Sequence, residues 1–495
     1  MNATVTRLLI LCGLTIYGLW GLGPMASAQM QGPDRSSAAI SDDALTEFVK
    51  TAMAKFGVPG AAVVAFDADG VTYAKAFGRA DASGRAVTLD TPFQLASVSK
   101  SFVALILMQM VGEDRLSLDD PVTLHLPELS GESVVDWSGV TIRHLLSHRS
   151  GLSTFDGNRW QSAQSDSLED VIGQIAELTP HAEPGEAFQY SNANYILASA
   201  VIERVGGQPF ERAITARIFE PLDMRNSYVQ RSTRPTVAEA AGFRQWYGRA
   251  VERPFLQSRA MMGAGGVVSS ARYLAAVARE DPAIVPPGAS ADLFRTVLPV
   301  TGFEWSYGLG WQRAEEAGRT VIYHSGLNPG IATHAAFLPD SGTGVVVLTN
   351  LSGSLTADVP HAVSRKALGL PTGPIAPSGN LKVLLWAITG LAIVLCLGAL
   401  NALRVMLSAY EVHGGFDIGQ TLRLIVPTVV LCGLAYALLG LVPMSNGAPL
   451  SAIRVFQPDA WLALVVGGVS ALAWALLRWI SFVRTRRSVP TRPIA

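Results

Sequence analysis

Residues 93–110 read FQLASVSKSFVALILMQM, and this stretch decides how the rest of the chain is interpreted. It is apolar enough to form a helix in a protein core, yet Lys100 lies in its first turn, three residues after Ser97. Burying an ammonium group is costly unless the protein makes use of it. Because positions i and i+3 share one face of a helix, the spacing predicts that Ser97 Oγ and Lys100 Nζ lie within hydrogen-bond reach.

This pair has the properties of a nucleophile and its base. A serine hydroxyl is a poor nucleophile until a base removes its proton. The apolar neighbours of Lys100 should lower its pKa and favour the neutral amine, which can act as that base. Ser97 and Lys100 form the only Ser-x-x-Lys pattern in a chain that has six lysines. The alternative interpretation is a capping serine followed by a lysine whose ammonium group reaches solvent.

Two later segments carry further candidate residues. In PGEAFQYSNANY (184–195), Tyr190 can carry a proton to a leaving group, and Asn192 can orient the lysine and a substrate amide. An ordinary Tyr-Ser-Asn turn is the alternative for this segment.

The segment VIYHSGLNPG (321–330) places His324 at the end of a predicted strand. Gly326 would allow the close approach of a ligand. The backbone N–H of Leu327 could pair with that of Ser97 as an oxyanion hole. A structural histidine on a strand is the alternative here.

In this order and spacing, the three segments resemble the Ser-x-x-Lys serine hydrolases, which include class C β-lactamases, D-aminopeptidases, related esterases and penicillin-binding carboxypeptidases. The pattern of that family is Ser-x-x-Lys, then Tyr-x-Asn, then Lys-Thr-Gly or His-x-Gly. The segments RHLLSHRSGL (143–152), IFEPLDM (218–224) and YGLGW (307–311) add to the resemblance. It implies an α/β (α+β) fold of the β-lactamase/transpeptidase type, in which helices flank a sheet and Ser97 lies between the sheet and a helical region.

The resemblance also implies a role for each candidate. Ser97 would be the nucleophile, Lys100 and Tyr190 would share the acid/base chemistry, and Asn192 and His324 would complete the site. The N–H groups of Ser97 and Leu327 would bind the oxyanion. His324 replaces the lysine of typical β-lactamases, and a histidine is mostly neutral at pH 7, so this replacement favours a peptidase or an esterase.

The residue pattern independently predicts how the sheet is built. GAAVVAF (60–66), DADG (67–70) and VTYAKAFG (71–78) read as strand, turn and strand, and the same pattern returns between 320 and 350. Strands near both ends predict one antiparallel sheet assembled from both ends of the domain. A largely helical middle would be inserted between these strands. His144 and His148 lack the acidic residue of an H-E-x-x-H zinc site, so we expect no metal site, and no cofactor is implied.

Both ends of the chain are strongly apolar. An apolar run after Arg7, followed by Ala26-Ser27-Ala28, predicts a secretory signal peptide over 1–28, with a retained membrane anchor as the alternative. Uncharged runs at about 383–403 and 424–444, and a third at 460–477 that extends past Arg478 to 482, predict three transmembrane helices within 382–484.

Charge and composition predict where each part lies. Three crossings would place the Arg-rich tail, 485–495, in the cytoplasm, as the positive-inside rule requires. We therefore expect a multi-pass protein of the bacterial inner membrane, with a hydrolase domain (29–370) in the periplasm and a Pro/Gly-rich linker (371–381). Residues 29–380 have a formal net charge of −8, which argues against nucleic-acid binding.

An exported domain of this type followed by three membrane helices resembles the prodrug-activating peptidases of nonribosomal peptide pathways, such as the colibactin-maturing peptidase. Those enzymes remove an N-acyl-D-asparagine cap, and HSGLNPG here resembles their HGGQNP segment, which implies that Asn328 contacts substrate. This chain has Asn192 where that group has serine. A D,D-carboxypeptidase or β-lactamase, and a penicillin-binding sensor without turnover, remain alternatives, as does association between copies through the membrane helices.

Overall fold

The computed structural model describes residues 41–130, 136–161, 167–232, 237–272, 298–299, 304–353, 358–373, 379–408 and 418–487. These residues belong to two compact units, which are described separately: a larger unit up to residue 373 and a smaller one from residue 379. The predicted signal peptide (1–28) lies outside the described residues, as does all but the first three residues of the predicted tail.

Among the described residues of the larger unit, one helix precedes the first strand, one follows the last strand, and the others lie between strands along the chain. The helices are α1 (Asp42–Phe56), α2 (Ser99–Gly112), α3 (Val122–His125), α4 (Ile142–Leu146), α5 (Thr154–Gly157), α6 (Leu168–Ala176), α7 (Asn192–Gly206), α8 (Phe210–Ile214), α9 (Met262–Gly265) and α10 (Asp358–Ala367).

The described strands form one large sheet and two small ones. They are β1 (Gly60–Phe66), β2 (Val71–Gly78), β3 (Phe93–Gln94), β4 (Tyr228–Val229), β5 (Phe243–Trp246), β6 (Arg249–Glu252), β7 (Val267–Ser269), β8 (Leu298–Pro299), β9 (Trp305–Tyr307), β10 (Gln312–Glu316), β11 (Arg319–Asn328), β12 (Ile331–Leu338), β13 (Thr343–Thr349) and β14 (Leu351–Ser352).

The large sheet joins the two ends of the unit, as the sequence predicted. Its order is β2-β1-β13-β12-β11-β10-β9-β8, and all neighbouring strands run antiparallel. Strand β1 pairs with β13 in the register Ala61↔Thr349 to Phe66↔Gly344, so an early strand is closed by a late one. The small sheets have the orders β14-β5-β6 and β3-β7-β4.

Both faces of the sheet are covered. All of β1 is buried, and its side chains alternate between two hydrophobic clusters. Val64 and Phe66 point to the cluster that holds α2 and α7, whereas Val63 and Ala65 point to the cluster that holds α1 and α10. This two-sided burial explains why GAAVVAF is apolar throughout rather than alternating with polar residues. The predicted fold of an antiparallel sheet flanked by helices, with a helical region, is confirmed.

The smaller unit consists of apolar helices. Its described helices are α11 (Gly379–Ser408), α12 (Ile418–Tyr436), a π-helical turn (Ala437–Leu441), α13 (Val442–Ser445), α14 (Leu450–Phe456) and α15 (Pro458–Arg487). Three stretches are long and apolar enough to cross a membrane: Lys382–Ser408, Thr421–Ser445 and Pro458–Arg484. Each contains its predicted counterpart, and α11 begins within the predicted linker.

Helices α11 and α15 approach each other closely at small residues. A Cβ atom at Gly398 would lie 2.3 Å from the ring of Trp474, and one at Gly467 would lie 3.3 Å from Cβ of Ala392. Because the lipid tails are as apolar as these side chains, such close packing at small residues is a main source of association between membrane helices.

Candidate active site

Ser97 lies in a 3-10 turn, Ala96–Val98, that leads directly into α2. The sequence predicted that Ser97 would belong to the helix itself. Ala96 has φ of 52°, a left-handed conformation that is uncommon for a residue with a side chain. The turn is held from both sides, because Leu95 N donates to Val267 O and Leu95 O accepts from Thr333 Oγ1. A strained residue therefore fixes the direction of the Ser97 side chain.

Lys100 lies in the first turn of α2 and is fully buried. Its Nζ is 3.2 Å from Ser97 Oγ, 2.8 Å from Asn192 Oδ1 and 2.7 Å from Ala264 O. Burial holds the pKa of Lys100 well below its ordinary value of 10.5. Among the described residues there is no carboxylate within hydrogen-bond distance of the amine to stabilise its charged form.

The partners of Lys100 determine where its lone pair points. A neutral amine has two N–H donors and one lone pair. The carbonyl oxygens of Asn192 and Ala264 can only accept, and they take the two N–H groups. The lone pair is then left for the hydroxyl proton of Ser97. This geometry is the one that a general base needs.

Asn192, the first residue of α7, is held by a residue that the sequence interpretation missed. Its Nδ2 donates to Asn158 Oδ1 at 3.0 Å, which orients its Oδ1 toward Lys100. The backbone of Gly157 lies against the same segment, since a Cβ there would be 2.3 Å from Ser191 Oγ. Nothing in the residues around Asn158 indicates this contact, because it depends on how the 153–161 segment folds over α7.

Tyr190 lies beside both members of the pair. Its hydroxyl is hydrogen bonded to Ser97, and Lys100 Nζ lies 5.0 Å from the centre of its ring. Burial raises the pKa of Tyr190 above its ordinary value of 10, and the bond to Ser97 opposes this rise only in part. The phenol is therefore protonated at neutral pH and can relay a proton as a neutral group.

His324 is buried and both of its ring nitrogens are occupied. Nδ1 lies 2.7 Å from the carbonyl oxygen of Ser325, which can only accept, so Nδ1 carries the proton. Nε2 is left to accept from the Tyr307 hydroxyl at 2.9 Å. Burial lowers the pKa of His324 to about 3. A neutral imidazole thus stands at the position where the resemblance implies a cation in β-lactamases.

The reason for glycine at position 326 differs from the predicted one. A Cβ atom at Gly326 would lie 2.1 Å from Thr333 Oγ1 and 2.3 Å from Leu95 O. The close approach is therefore made by the backbone that leads into Ser97, and not by a ligand. The absent side chain lets β11 press against the turn that carries Ser97.

Leu327 and Asn328 end β11 in different surroundings. Leu327 is exposed, and it lies beyond Tyr323, the last residue of β11 that pairs with β10. The oxyanion role of its N–H stays a prediction. Asn328 is buried: its Nδ2 donates to Gln94 Oε1 and Gly265 O, and its Oδ1 accepts from Gln257. The protein itself thus satisfies both ends of this amide, and the substrate contact of Asn328 stays a prediction.

His148 is a second residue whose contribution the sequence did not predict. Its backbone oxygen accepts from Gln189 N at 2.9 Å, and its Nδ1 accepts from Ser191 N at 3.1 Å. Its ring lies against that of Tyr190, with centroids 4.3 Å apart. His148 therefore holds the residues on both sides of Tyr190 and packs on Tyr190 itself. The only signal was the RHLLSHRSGL segment, which had been assigned to structure alone.

The state of the His148 ring follows from these contacts. Because Nδ1 accepts a backbone N–H, the proton lies on Nε2, and that buried atom has no hydrogen-bond partner among the described residues. Burial holds the pKa of His148 well below 6.5. The described part of the chain contains no group of three or more His, Cys, Asp or Glu side chains that could hold a metal ion.

Comparison with known sequences gives relatives of several kinds. The chain is 27% identical over 353 residues to unguisins hydrolase ungD' of Aspergillus campestris, which covers 66% of this chain and 65% of that protein. It is 28% identical over 312 residues to Penicillin-binding protein 4* of Bacillus subtilis (58% and 67%). It is 37% identical over 171 residues to Esterase EstB of Burkholderia gladioli (32% and 43%). The chain thus spans between 43% and 67% of the length of these relatives.

Solved structures give the same fold. The octameric penicillin-binding protein homologue from Pyrococcus abyssi superposes with a TM-score of 0.58 at 26% identity, covering 71% of this chain and 82% of that one. The D-stereospecific amidohydrolase from Streptomyces sp. superposes with a TM-score of 0.54 at 25% identity (63% and 95%).

A sequence profile described as Beta-lactamase matches residues 45–369, from α1 to the residues just after α10. This range covers more than half of the chain and contains Ser97, Lys100, Tyr190 and His324. The chain therefore belongs to the beta-lactamase family of Ser-x-x-Lys serine hydrolases.

Proposed function

We propose that this protein hydrolyses an acyl bond through a covalent acyl-enzyme on Ser97. The observation that carries the proposal is the fully buried Lys100, whose Nζ lies 3.2 Å from Ser97 Oγ while two carbonyl oxygens take its N–H groups. A structural lysine would not need to give up its charge in this way, because it could extend toward solvent.

The chemistry proceeds in two halves. Ser97 Oγ attacks the substrate carbonyl carbon as its proton passes to Lys100 Nζ, and the N–H groups of Ser97 and Leu327 bind the oxyanion. As the tetrahedral intermediate collapses, the Tyr190 hydroxyl donates a proton to the leaving group and regains one from Lys100. Water then attacks the carbonyl carbon of the Ser97 ester and gives one proton to the same groups. That proton passes to Ser97 Oγ as the ester C–O bond breaks, and the acid product leaves with the oxygen atom of that water.

For the substrate we propose an amide of an N-acylated or D-amino-acid-containing peptide. The similarity to a D-stereospecific amidohydrolase and to a hydrolase of unguisins supports this choice. The neutral state of His324 supports it too, because the site lacks a fixed cation there for a substrate carboxylate. A peptidase that removes a cap from a prodrug is one case of this reaction.

The second candidate is an esterase that uses the same machinery, and the 37% identity to Esterase EstB favours it. A panel of N-acyl-D-, N-acyl-L-amino-acid amides and short p-nitrophenyl esters separates the two, with products read by mass spectrometry. Each kcat/KM value is divided by the rate constant of the uncatalysed hydrolysis of the same substrate. If the protein is an amidase, this ratio should be larger for one class of amides than for the esters. Both candidates fail if the Ser97→Ala protein keeps full turnover.

We also propose where the protein lies in the cell, from the apolar segments at the two ends of the chain. The predicted signal peptide exports the hydrolase domain, and the three apolar helices anchor it in the inner membrane, with the bilayer as a partner. The domain then meets substrate on the periplasmic side of the membrane. Octameric assembly is stated for the Pyrococcus abyssi protein; for this chain, association between copies stays a prediction.

A further inference from the structure

A cavity of about 430 Å³ lies beside the segments that carry the candidate site. Gln94 lines it, and Gln94 precedes Ser97 by three residues, which limits the separation of their Cα atoms to about 11 Å. Gly242, on the opposite wall, packs against Pro329 and Gly330, which directly follow the end of β11. The cavity is thus close enough to Ser97 to receive a distant part of the same substrate.

Among the described residues that line the cavity, Glu239 alone is charged. Its Oε1 accepts from Gln94 Nε2 at 2.8 Å, and its Oε2 accepts from the Tyr228 hydroxyl at 2.5 Å. Both donors are neutral. No lysine or arginine in the described part of the chain forms an ion pair with this carboxylate; the nearby Arg85 binds the backbone oxygen of Glu239 and pairs with Asp81 instead.

The half-buried carboxylate of Glu239 has neutral hydrogen-bond donors but no cation paired with it among the described residues. Two hydrogen bonds fix its position, but a negative charge that is partly removed from water is stabilised most by a cation. The other lining residues are neutral: Phe255 and Leu256 are apolar, and Gln94, Tyr228 and Gln230 are polar. The cavity therefore presents one fixed negative charge among neutral side chains, and a single placed charge of this kind can select an oppositely charged group of a ligand.

Glu239 is also connected to the candidate site. The Gln94 amide that binds Glu239 through Nε2 accepts from Asn328 Nδ2 through Oε1. Asn328 in turn binds Gly265 O, next to Ala264, whose carbonyl oxygen accepts from Lys100. A continuous series of hydrogen bonds through buried amide groups thus connects the cavity wall to Lys100, the proposed base for Ser97.

We propose that this cavity is a specificity subsite in which Glu239 binds an ammonium group of the substrate, on the acyl side of the bond that is cleaved. The proposal rests on the hydrolase function proposed above and names one feature of its substrate. The Cα atoms of Gln94 and Ser97 are at most about 11 Å apart, so the test uses a linker of that order: about three residues of extended peptide, or an aliphatic chain of about eight carbons.

The test compares three p-nitrophenyl esters of matched length, made from 8-aminooctanoic, 8-hydroxyoctanoic and nonanoic acid, with the full-length protein in detergent. The quantity read is the ratio of kcat/KM for the ammonium ester to that for the neutral esters, after subtraction of spontaneous hydrolysis. We expect a ratio of about ten in the wild type, falling toward one in Glu239→Gln. Because the ratio is taken within each variant, a general loss of rate cancels.

Two controls make the result specific. Glu315→Gln removes an exposed carboxylate from β10 and should leave the ratio at its wild-type value. In the unmodified protein, about 1 M salt should reduce the ratio, because it shortens the Debye length to about 3 Å. This second measurement still decides the matter if Glu239→Gln fails to fold.

A wild-type ratio near one overturns the proposal, and so does a ratio that survives Glu239→Gln or high salt. Failure of the underlying function looks different: hydrolysis of all three esters would then persist in Ser97→Ala.

Discussion

At the scale of the residue, the pKa of Lys100 sets the pH dependence. Acylation needs the neutral amine, and burial lowers the Lys100 pKa far below 10.5, so activity should rise with pH through that lowered pKa and reach its plateau early. Tyr190, whose pKa is raised above 10, should cause no alkaline loss below about pH 10. A profile of kcat/KM for a neutral substrate checks this. An activity that keeps climbing up to pH 10 would mean that Lys100 titrates like an exposed lysine.

His148 offers a second prediction at this scale, as a positioning residue for Tyr190. His148→Phe keeps a ring but leaves the Ser191 N–H without its acceptor, which costs about 1–3 kcal/mol and lets Tyr190 move. A misplacement of about 1 Å can cost about 100-fold in rate, so we expect kcat to fall by about that factor while KM changes little.

The matched variant is His148→Asn, because asparagine can accept from Ser191 N and tolerates the φ of 57° at this position. It should recover a large part of kcat. Equal kcat values in the two variants, or a change confined to thermal stability, would make His148 a purely structural residue.

How far these residues could be predicted depends on how local their contacts are. Ser97 and Lys100 are neighbours on one turn, so their spacing alone indicates the pair. Asn158 and His148 act through hydrogen bonds to residues 34 and 43 positions away, and no periodicity shows such a contact. The internal contacts of the Asn328 amide could not be predicted for the same reason, because Gln94 and Gln257 lie 234 and 71 positions away.

At the scale of the element, β11 has to approach the Ser97 turn without a side chain between them. Gly326→Ala would place a methyl group 2.3 Å from Leu95 O, so it should lower the free energy of unfolding by about 1–3 kcal/mol and reduce acylation by displacing the turn. Chemical denaturation of the full-length protein and the rate of acyl-enzyme formation are the measurements. Gly173→Ala, in α6 with open space around it, is the control that should be neutral or slightly stabilising. Equal stabilities of the two variants would contradict this account of Gly326.

The strands were predictable because the pattern of each one reflects its own burial. GAAVVAF is apolar at every position, and the structure buries it on both faces between α1 and α2. A sheet built from both ends of the domain followed from the same reasoning, and the pairing of β1 with β13 joins those ends. The order of the outer strands β8 to β10 could not be predicted, because all three are short and β9 and β10 are only partly buried.

At the scale of the whole molecule, the proposed topology places the hydrolase domain outside the cytoplasm. Cysteine labelling tests it, in a background in which Cys396 and Cys432 are replaced by serine. Asp69→Cys, in the exposed turn between β1 and β2, should react with a membrane-impermeant maleimide on spheroplasts, whereas Ser488→Cys in the tail should react only after lysis. The reverse labelling pattern would place the domain in the cytoplasm and remove the basis for a periplasmic substrate.

The central claim is that Lys100 activates Ser97 as a nucleophile. The most direct measurement is intact-protein mass spectrometry after brief exposure of the full-length protein to a p-nitrophenyl ester. Wild type, Ser97→Ala and Lys100→Ala are compared at a temperature at which thermal denaturation shows all three to be folded. The account predicts one acyl adduct on the wild type, mapped to Ser97, no adduct on Ser97→Ala, and adduct formation slowed by at least about 100-fold in Lys100→Ala. An adduct that forms on Lys100→Ala at the wild-type rate would contradict it.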